Sequence, residues 1–296
     1  MIRVAEWGTG MMGQGLLGYI LDRPKDIDLV GVIVTNPAKE GKTVGELLGR
    51  PCDVKMTTDF ASVLAKKPDV VCINTQSNLH EITDQVVPAV EAGCDVICIA
   101  EKISYPWASD AAWGERIDAL ARQHGVTVLG TGINPGFMLD ALIVMWSSIC
   151  LRVDKIVATR VNDLSPFGPT VMTGQGVGTT VEQFEKGVAD GSIVGHIGFP
   201  ESISLVARAL GWTIDRIEET REPIVTKVER STPHVHVAPG DVSGCRHIGR
   251  GYVGDELQLE LLHPPQIHPE LEGVETGAYL ENPRDPGGHM GHNPES

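Results

Sequence analysis

Gly8-Thr9-Gly10-Met11-Met12-Gly13 stands between a strand-like run, Ile2-Arg3-Val4-Ala5-Glu6-Trp7, and a window at 11–21 whose apolar residues recur at helical spacing. Alone, a G-x-G-x-x-G spacing is a weak signal; between a first strand and a helix each glycine has a physical task. Gly8 permits the tight turn, Gly10 leaves the backbone bare for a pyrophosphate, and Gly13 lets the helix pack closely. The helix N-terminus then attracts the phosphates.

Outward from this turn, strand candidates at 28–34, 69–74, 95–99 and 126–129 alternate with helical windows at 62–66, 79–92 and 110–124. Gly93 and Gly125 fall where helix C-caps belong. The alternation predicts an α/β chain whose N-terminal domain is a Rossmann fold, a doubly wound parallel sheet. After Pro135-Gly136 the pattern changes to a helix at 139–149, a strand at 154–162, helical windows near Glu182 and Glu201, and a run of strands over 213–262. That second half reads as an α+β domain with a mostly antiparallel sheet. The expected domains are 1–135, binding NAD(P), and 136–280, followed by a loose tail at 281–296 that lacks apolar periodicity.

An NAD site normally offers a carboxylate at the end of the second strand for the ribose hydroxyls. Val34-Thr35-Asn36 has none, and Lys39 and Lys42 follow. A 2′-phosphate would meet positive charge there, which favours NADP(H) over a possible NAD(H), although either lysine reads equally as solvated surface. Asn74-Thr75-Gln76 ends a strand at the carboxyl edge, where open sheets place ligands, or serves as a polar loop cap.

Glu101 and Lys102 follow the next strand toward the same edge. A carboxylate beside Ile99, Ala100, Ile103, Tyr105 and Trp107 is expected to have its pKa raised by desolvation, as proton transfer near neutral pH requires; the bland reading is a surface ion pair. Asn134, in Gly132-Ile133-Asn134-Pro135-Gly136-Phe137, either orients a nicotinamide or caps the helix that follows. His234 and His236 alternate as on one strand face and His289 and His292 lie in the tail, but no acidic or cysteine cluster stands at ligand spacing, so no metal is expected. No G-x-S-x-G elbow, Walker loop or H-E-x-x-H occurs, which leaves hydride transfer as the supported chemistry.

Composition narrows the classes further. Hydrophobic residues make up 42% of 296, enough for sizeable cores, and 24 basic against 39 acidic side chains leave a formal charge of -15. That balance argues against a nucleic-acid partner and against anionic membrane surfaces. No apolar stretch approaches the roughly 18 residues of a membrane span. The start Met1-Ile2-Arg3-Val4 has no cleavable-signal order, so a cytoplasmic location is expected. The six cysteines show no CxxC spacing and read as reduced, structural residues.

Trp7-Gly8-Thr9-Gly10, Glu101-Lys102-Ile103-Ser104-Tyr105-Pro106-Trp107, Gly130 to Phe137 with Asp140, and Gly195-His196-Ile197-Gly198-Phe199-Pro200-Glu201-Ser202 together resemble the 2,4-diaminopentanoate dehydrogenases and the related native amine dehydrogenases. The resemblance runs from Ile2 to about Tyr279. It implies an NAD(P)-binding domain, a second domain serving substrate binding and dimerisation, a homodimer, and reversible reductive amination of a small ketone or aldehyde with ammonia. It assigns the ammonia and iminium chemistry to Glu101, and makes Phe137, Asn162, Thr173 and His196 the substrate-pocket candidates. Val161-Asn162-Asp163-Leu164-Ser165-Pro166 looks more like the simple-amine branch. One departure stands out: family members continue beyond Glu275-Thr276-Gly277 into a strand, a glycine-rich turn and a helix, whereas this tail reads as truncated or frame-shifted. Three alternatives remain: 2,4-diaminopentanoate dehydrogenase proper, a hydroxyl dehydrogenase using Lys102 as in the glucose-fructose oxidoreductase group, and a non-catalytic NADP-binding paralogue. The glucose-fructose oxidoreductase group carries a proline after its lysine, where Ile103-Ser104 stands here. Dihydrodipicolinate reductase lacks support because its paired-histidine and lysine segment is missing.

Overall fold

Alternation along Ile2–Trp7 (β1) sends Ala5 and Trp7 into one apolar cluster and Val4 into another on the opposite face, as expected for a parallel sheet covered on both sides. The computed structural model describes residues 1–281 and 289–292. It divides into two units, Met1–Gly136 and Phe137–Ser296.

In the first unit, β1 is followed by Met11–Leu21 (α1), Ile27–Ile33 (β2), Val44–Leu48 (α2), Met56–Thr57 (β3) and Phe60–Leu64 (α3). Val70–Ile73 (β4), Leu79–Glu91 (α4), Asp95–Cys98 (β5), Ala111–His124 (α5) and Val128–Gly130 (β6) complete it. The six strands lie in the order β3-β2-β1-β4-β5-β6, all pairs parallel. Strand order therefore reverses between β1 and β4, the switch point at which such sheets open a ligand crevice. Caps set the helix ends: Asp110 accepts from the Trp113 N–H and Gly125 closes α5 at φ 67°. The sequence pattern passes over α2 and β3, because five and two residues are too short to show a period.

The second unit runs through Ala141–Ser147 (α6), Ile156–Val161 (β7), Pro169–Gly174 (α7), Val181–Asp190 (α8) and Phe199–Leu210 (α9). It continues as Arg216–Val225 (β8), Arg230–Ser231 (β9), His236–Val237 (β10), Val242–Val253 (β11), Glu256–His263 (β12), Gly277–Glu281 (β13) and His289–His292 (β14). Its main sheet has the order β14-β13-β7-β12-β11-β8, antiparallel except for the parallel β12–β7 pair. One face is covered by α6 and α9, where Ile143, Phe199 and Ile203 meet Ile156, Ala158, Leu259, Leu261 and Leu280. Gly249 and Gly251 make that approach possible, since an added Cβ would come within 2.9 Å of Phe199 and 2.8 Å of Ile203. A buried Arg230 ties this unit's loops together through Thr226, Gln266 and Glu272.

Strands stand where the sequence reads a loose tail. Glu281 closes β13, and β14 pairs with β13 in antiparallel register. Ladder bonds join backbone to backbone, so apolar periodicity is silent about such a strand. Positions 282–288 and 293–296 lie outside the described residues. Among the described residues no helix is long and apolar enough to cross a membrane.

Candidate active site

β1 ends where Gly8 takes φ +119°, and a Cβ there would fall 2.5 Å from the Asn74 carbonyl oxygen at the end of β4. At Gly13 a Cβ would come within 2.1 Å of the Gly8 oxygen, so the turn and the first coil of α1 close on each other. Gly10 faces open space, with nothing within 4 Å of a Cβ, and no side chain caps α1. These residues fit a dinucleotide: a bare backbone, an uncapped helix N-terminus and a free approach. Met11 and Met12 point into solvent beside it.

Lys39 reaches the same turn. Its Nζ donates to the Thr9 carbonyl at 2.9 Å and to Thr9 Oγ1 at 2.8 Å, setting a cation at the mouth of β2. Asn36 accepts from the Ala38 N–H at 2.9 Å and caps a short turn, whereas Thr35 and Lys42 are exposed. Asn74 donates to the buried Glu6 carboxyl at 2.6 Å, Thr75 donates to Gln85 at 2.6 Å, and Gln76 is exposed.

Glu101 opens a single 3-10 turn, Glu101–Ser104, directly beyond β5. Gly130 on β6 admits that turn, since a Cβ there would sit 2.2 Å from the Ile103 oxygen. Ala100 and Ile103 are buried; Glu101 and Lys102 are half-buried, less enclosed than their apolar neighbours suggest in sequence. Asn134 precedes a cis peptide bond to Pro135. The helix-capping reading of Asn134 is corrected, because α6 starts at Ala141 and its cap is Asp140, which also accepts from Ser202 Oγ at 2.9 Å.

In the second unit, His196 lies among groups that the sequence reading did not single out. Its ring meets His263 edge-on at 5.0 Å and Phe199 at 4.9 Å, and its backbone N–H donates to His247 Nδ1 at 2.9 Å. That bond leaves the His247 proton on Nε2, which faces Glu219 at 2.8 Å. His263 Nδ1 sits 2.8 Å from the Arg160 carbonyl. Burial and the neighbouring His263, His247 and Arg160 hold His196 well below the usual imidazole range. Burial and Arg160 push His263 down to about 3, and burial lowers His247 against the pull of Glu219. Burial would raise Glu219, but the His247 hydrogen bond, with the charges of His247 and Arg221, outweighs it and leaves the carboxyl below its ordinary value. His196 and His263 are therefore neutral near pH 7. Desolvation also lowers Arg160, whose guanidinium has no carboxylate partner among the described residues. Asn162, two positions along the same strand direction, has a buried side-chain oxygen without a hydrogen-bond partner.

A signal for these residues exists in the sequence. Leu259, Leu261 and His263 alternate on one strand and Ala158 and Arg160 on another, so each polar residue extends an inward-facing apolar series. Of the other pocket candidates, Phe137 and Thr173 are exposed. His234 lies in the turn before β10, so it and His236 do not share a strand. Asp163, His268 and Glu270 come within 4.8 Å of one another, yet both His268 nitrogens already face Glu270 and the Ser231 carbonyl; the group reads as a loop latch.

Comparison with known proteins adds an independent line. A family profile described as the 2,4-diaminopentanoate dehydrogenase C-terminal domain matches residues 137–296, and one for an oxidoreductase family with an NAD-binding Rossmann fold matches 2–131. The chain is 40% identical to a 2,4-diaminopentanoate dehydrogenase of Acetoanaerobium sticklandii, over 99% of this chain and 84% of that protein. It is 28% identical to an amine dehydrogenase of Streptomyces virginiae, over 91% and 76%. The solved amine dehydrogenase from Mycobacterium smegmatis superposes with a TM-score of 0.81 at 26% identity, over 98% of this chain and 86% of that one.

Proposed function

The chain belongs to the 2,4-diaminopentanoate dehydrogenase family, and on that premise we propose that it interconverts a carboxylate-bearing amine with its ketone and ammonia. The observation that carries the carboxylate is Arg160: a partly buried guanidinium without an acidic partner among the described residues, surrounded by imidazoles too depressed to add competing charge. An uncompensated buried cation is costly unless a ligand supplies the anion. The unpartnered Asn162 oxygen offers an acceptor for a substrate N–H or O–H. The 40% identity to the diaminopentanoate enzyme, against 28% to the amine dehydrogenase, supports the same branch over an uncharged amine.

Ketone, ammonium and reduced dinucleotide give amine, oxidised dinucleotide and water. A bound nicotinamide supplies the hydride. Glu101 takes the proton that ammonia sheds as it adds to the carbonyl, returns one to the departing hydroxyl, and by its charge stabilises the iminium. Arg160 fixes the substrate by its carboxylate in a planar, bidentate geometry. Arg160→Met is expected to raise KM for a carboxylate-bearing ketone roughly 30-fold or more while leaving its uncharged analogue nearly unaffected. Equal losses for both would make Arg160 a structural residue.

Lys39 at the mouth of β2, with no carboxylate at Val34-Thr35-Asn36, supports NADP(H) as the preferred cofactor and NAD(H) as a possible one. Lys39→Ala should weaken NADPH about tenfold and NADH much less, as read by nicotinamide fluorescence. Equal weakening would mean that Lys39 serves only Thr9. Cysteines that are all free support a cytoplasmic setting. The homodimer has a candidate surface in the second-unit sheet face that carries Thr159, Arg250, Tyr252 and Leu262, all half-buried.

A further inference from the structure

Glu6 is fully buried on β1, and no step assigned above uses it. One carboxyl oxygen accepts from the Asn74 amide at 2.6 Å; the other is buried without a hydrogen-bond partner. The first oxygen lies 3.0 Å from where a Gly13 Cβ would stand, which places the carboxyl against the underside of the Gly8–Gly13 turn. Asn74 in turn donates its backbone N–H to the Trp7 oxygen and crowds Gly8 from the β4 side. Carboxyl, amide and turn thus form one packed unit. We propose that Glu6 is a positioning residue for the cofactor: as a neutral acid it props Asn74 and the floor of the turn, and its ionisation weakens dinucleotide binding. The proposal rests on the dinucleotide reading of that turn.

The surroundings keep the acid neutral. Burial pushes Glu6 up to about 8 from 4.5, against the hydrogen bond from Asn74. Its register partners are Val32 on β2 and Cys72 on β4, and Gly13 covers it from α1. Of these only Cys72 titrates; burial holds its thiol at about 12, so it stays protonated throughout the test range. Lys39, the cation at the turn, is engaged by Thr9. Ionising Glu6 therefore adds a negative charge beneath a site built for phosphates, with no neighbouring proton to offset it.

Linkage gives a second readout without any ligand. Between about pH 4.5 and 8 the folded chain keeps a proton that the unfolded chain has released, so Glu6 lowers stability progressively as pH rises through that window. Glu6→Gln keeps the shape and an acceptor for Asn74 but cannot ionise.

The test is nicotinamide fluorescence titration of wild type and Glu6→Gln with NADH and NADPH from about pH 6.5 to about pH 9.5, with thermal unfolding of both proteins from about pH 5. Wild-type affinity should fall about tenfold across the titration, the scale of one charge acting within a partly screened interior. The variant should match wild type at the acid end, stay within about twofold throughout, and gain melting temperature over wild type as pH rises. A flat wild-type profile, a parallel fall in the variant, or a pH-independent melting difference overturns the role given to Glu6. Failure of wild type to bind either dinucleotide at any pH overturns the cofactor reading, and this proposal with it.

Discussion

Glu101→Gln is expected to lower turnover in reductive amination by roughly 10²-fold or more, with dinucleotide affinity within about twofold of wild type. The substitution keeps the side chain's shape and place in the Glu101–Ser104 turn, and the Ser104 hydroxyl still donates to the residue 101 carbonyl at 2.8 Å. It removes the charge that steadies an iminium cation and the base that accepts ammonia's proton. Lys102 stands beside it on the same turn and is also half-buried, but its positive charge repels that cation. Lys102→Met should therefore cost less than about fivefold. Steady-state kinetics with saturating ammonium separate the two. A Lys102→Met protein that is dead while Glu101→Gln turns over normally would move the chain to the hydroxyl-dehydrogenase reading.

Gly10→Phe is expected to abolish binding of both NADH and NADPH, a loss of roughly 100-fold or more, without unfolding the protein. A Cβ at Gly10 meets nothing within 4 Å, so the new ring projects outward from the turn into the space the phosphates need. Gly13 would make a poor test, since its Cβ would strike the Gly8 carbonyl at 2.1 Å and disturb the turn itself. Gly15, also open around its Cβ, supplies the control: Gly15→Ala should bind normally. Fluorescence titration with thermal unfolding reads both quantities. Retained affinity in a folded Gly10→Phe protein would place the cofactor elsewhere.

Most of the first unit is readable from sequence because β1, β2, α1, α4 and α5 run long enough to show a period, and because close backbone approaches demand glycine at Gly8, against Asn74, and at Gly13, against Gly8. The parallel β12–β7 pair is not readable, since nothing in either strand's own pattern selects a partner so distant along the chain. The same distance hides the histidine and arginine group: His263 meets Arg160 across 103 positions and His196 meets His247 across 51. Family resemblance brings His196 forward but not the residues that hold it neutral. Glu6 illustrates the opposite case, a residue in plain view in the first strand whose chemistry depends on burial, which alternation alone does not distinguish from a solvent-facing position.

The most direct test of the account follows nitrogen. The protein, reduced dinucleotide and a carboxylate-bearing methyl ketone are combined with and without ¹⁵N-ammonium, and the product is read by mass spectrometry alongside loss of nicotinamide absorbance. Dinucleotide oxidation is expected only when ammonium is present, with one labelled nitrogen in a primary amine. Oxidation at the same rate without ammonium, yielding the alcohol, would contradict it.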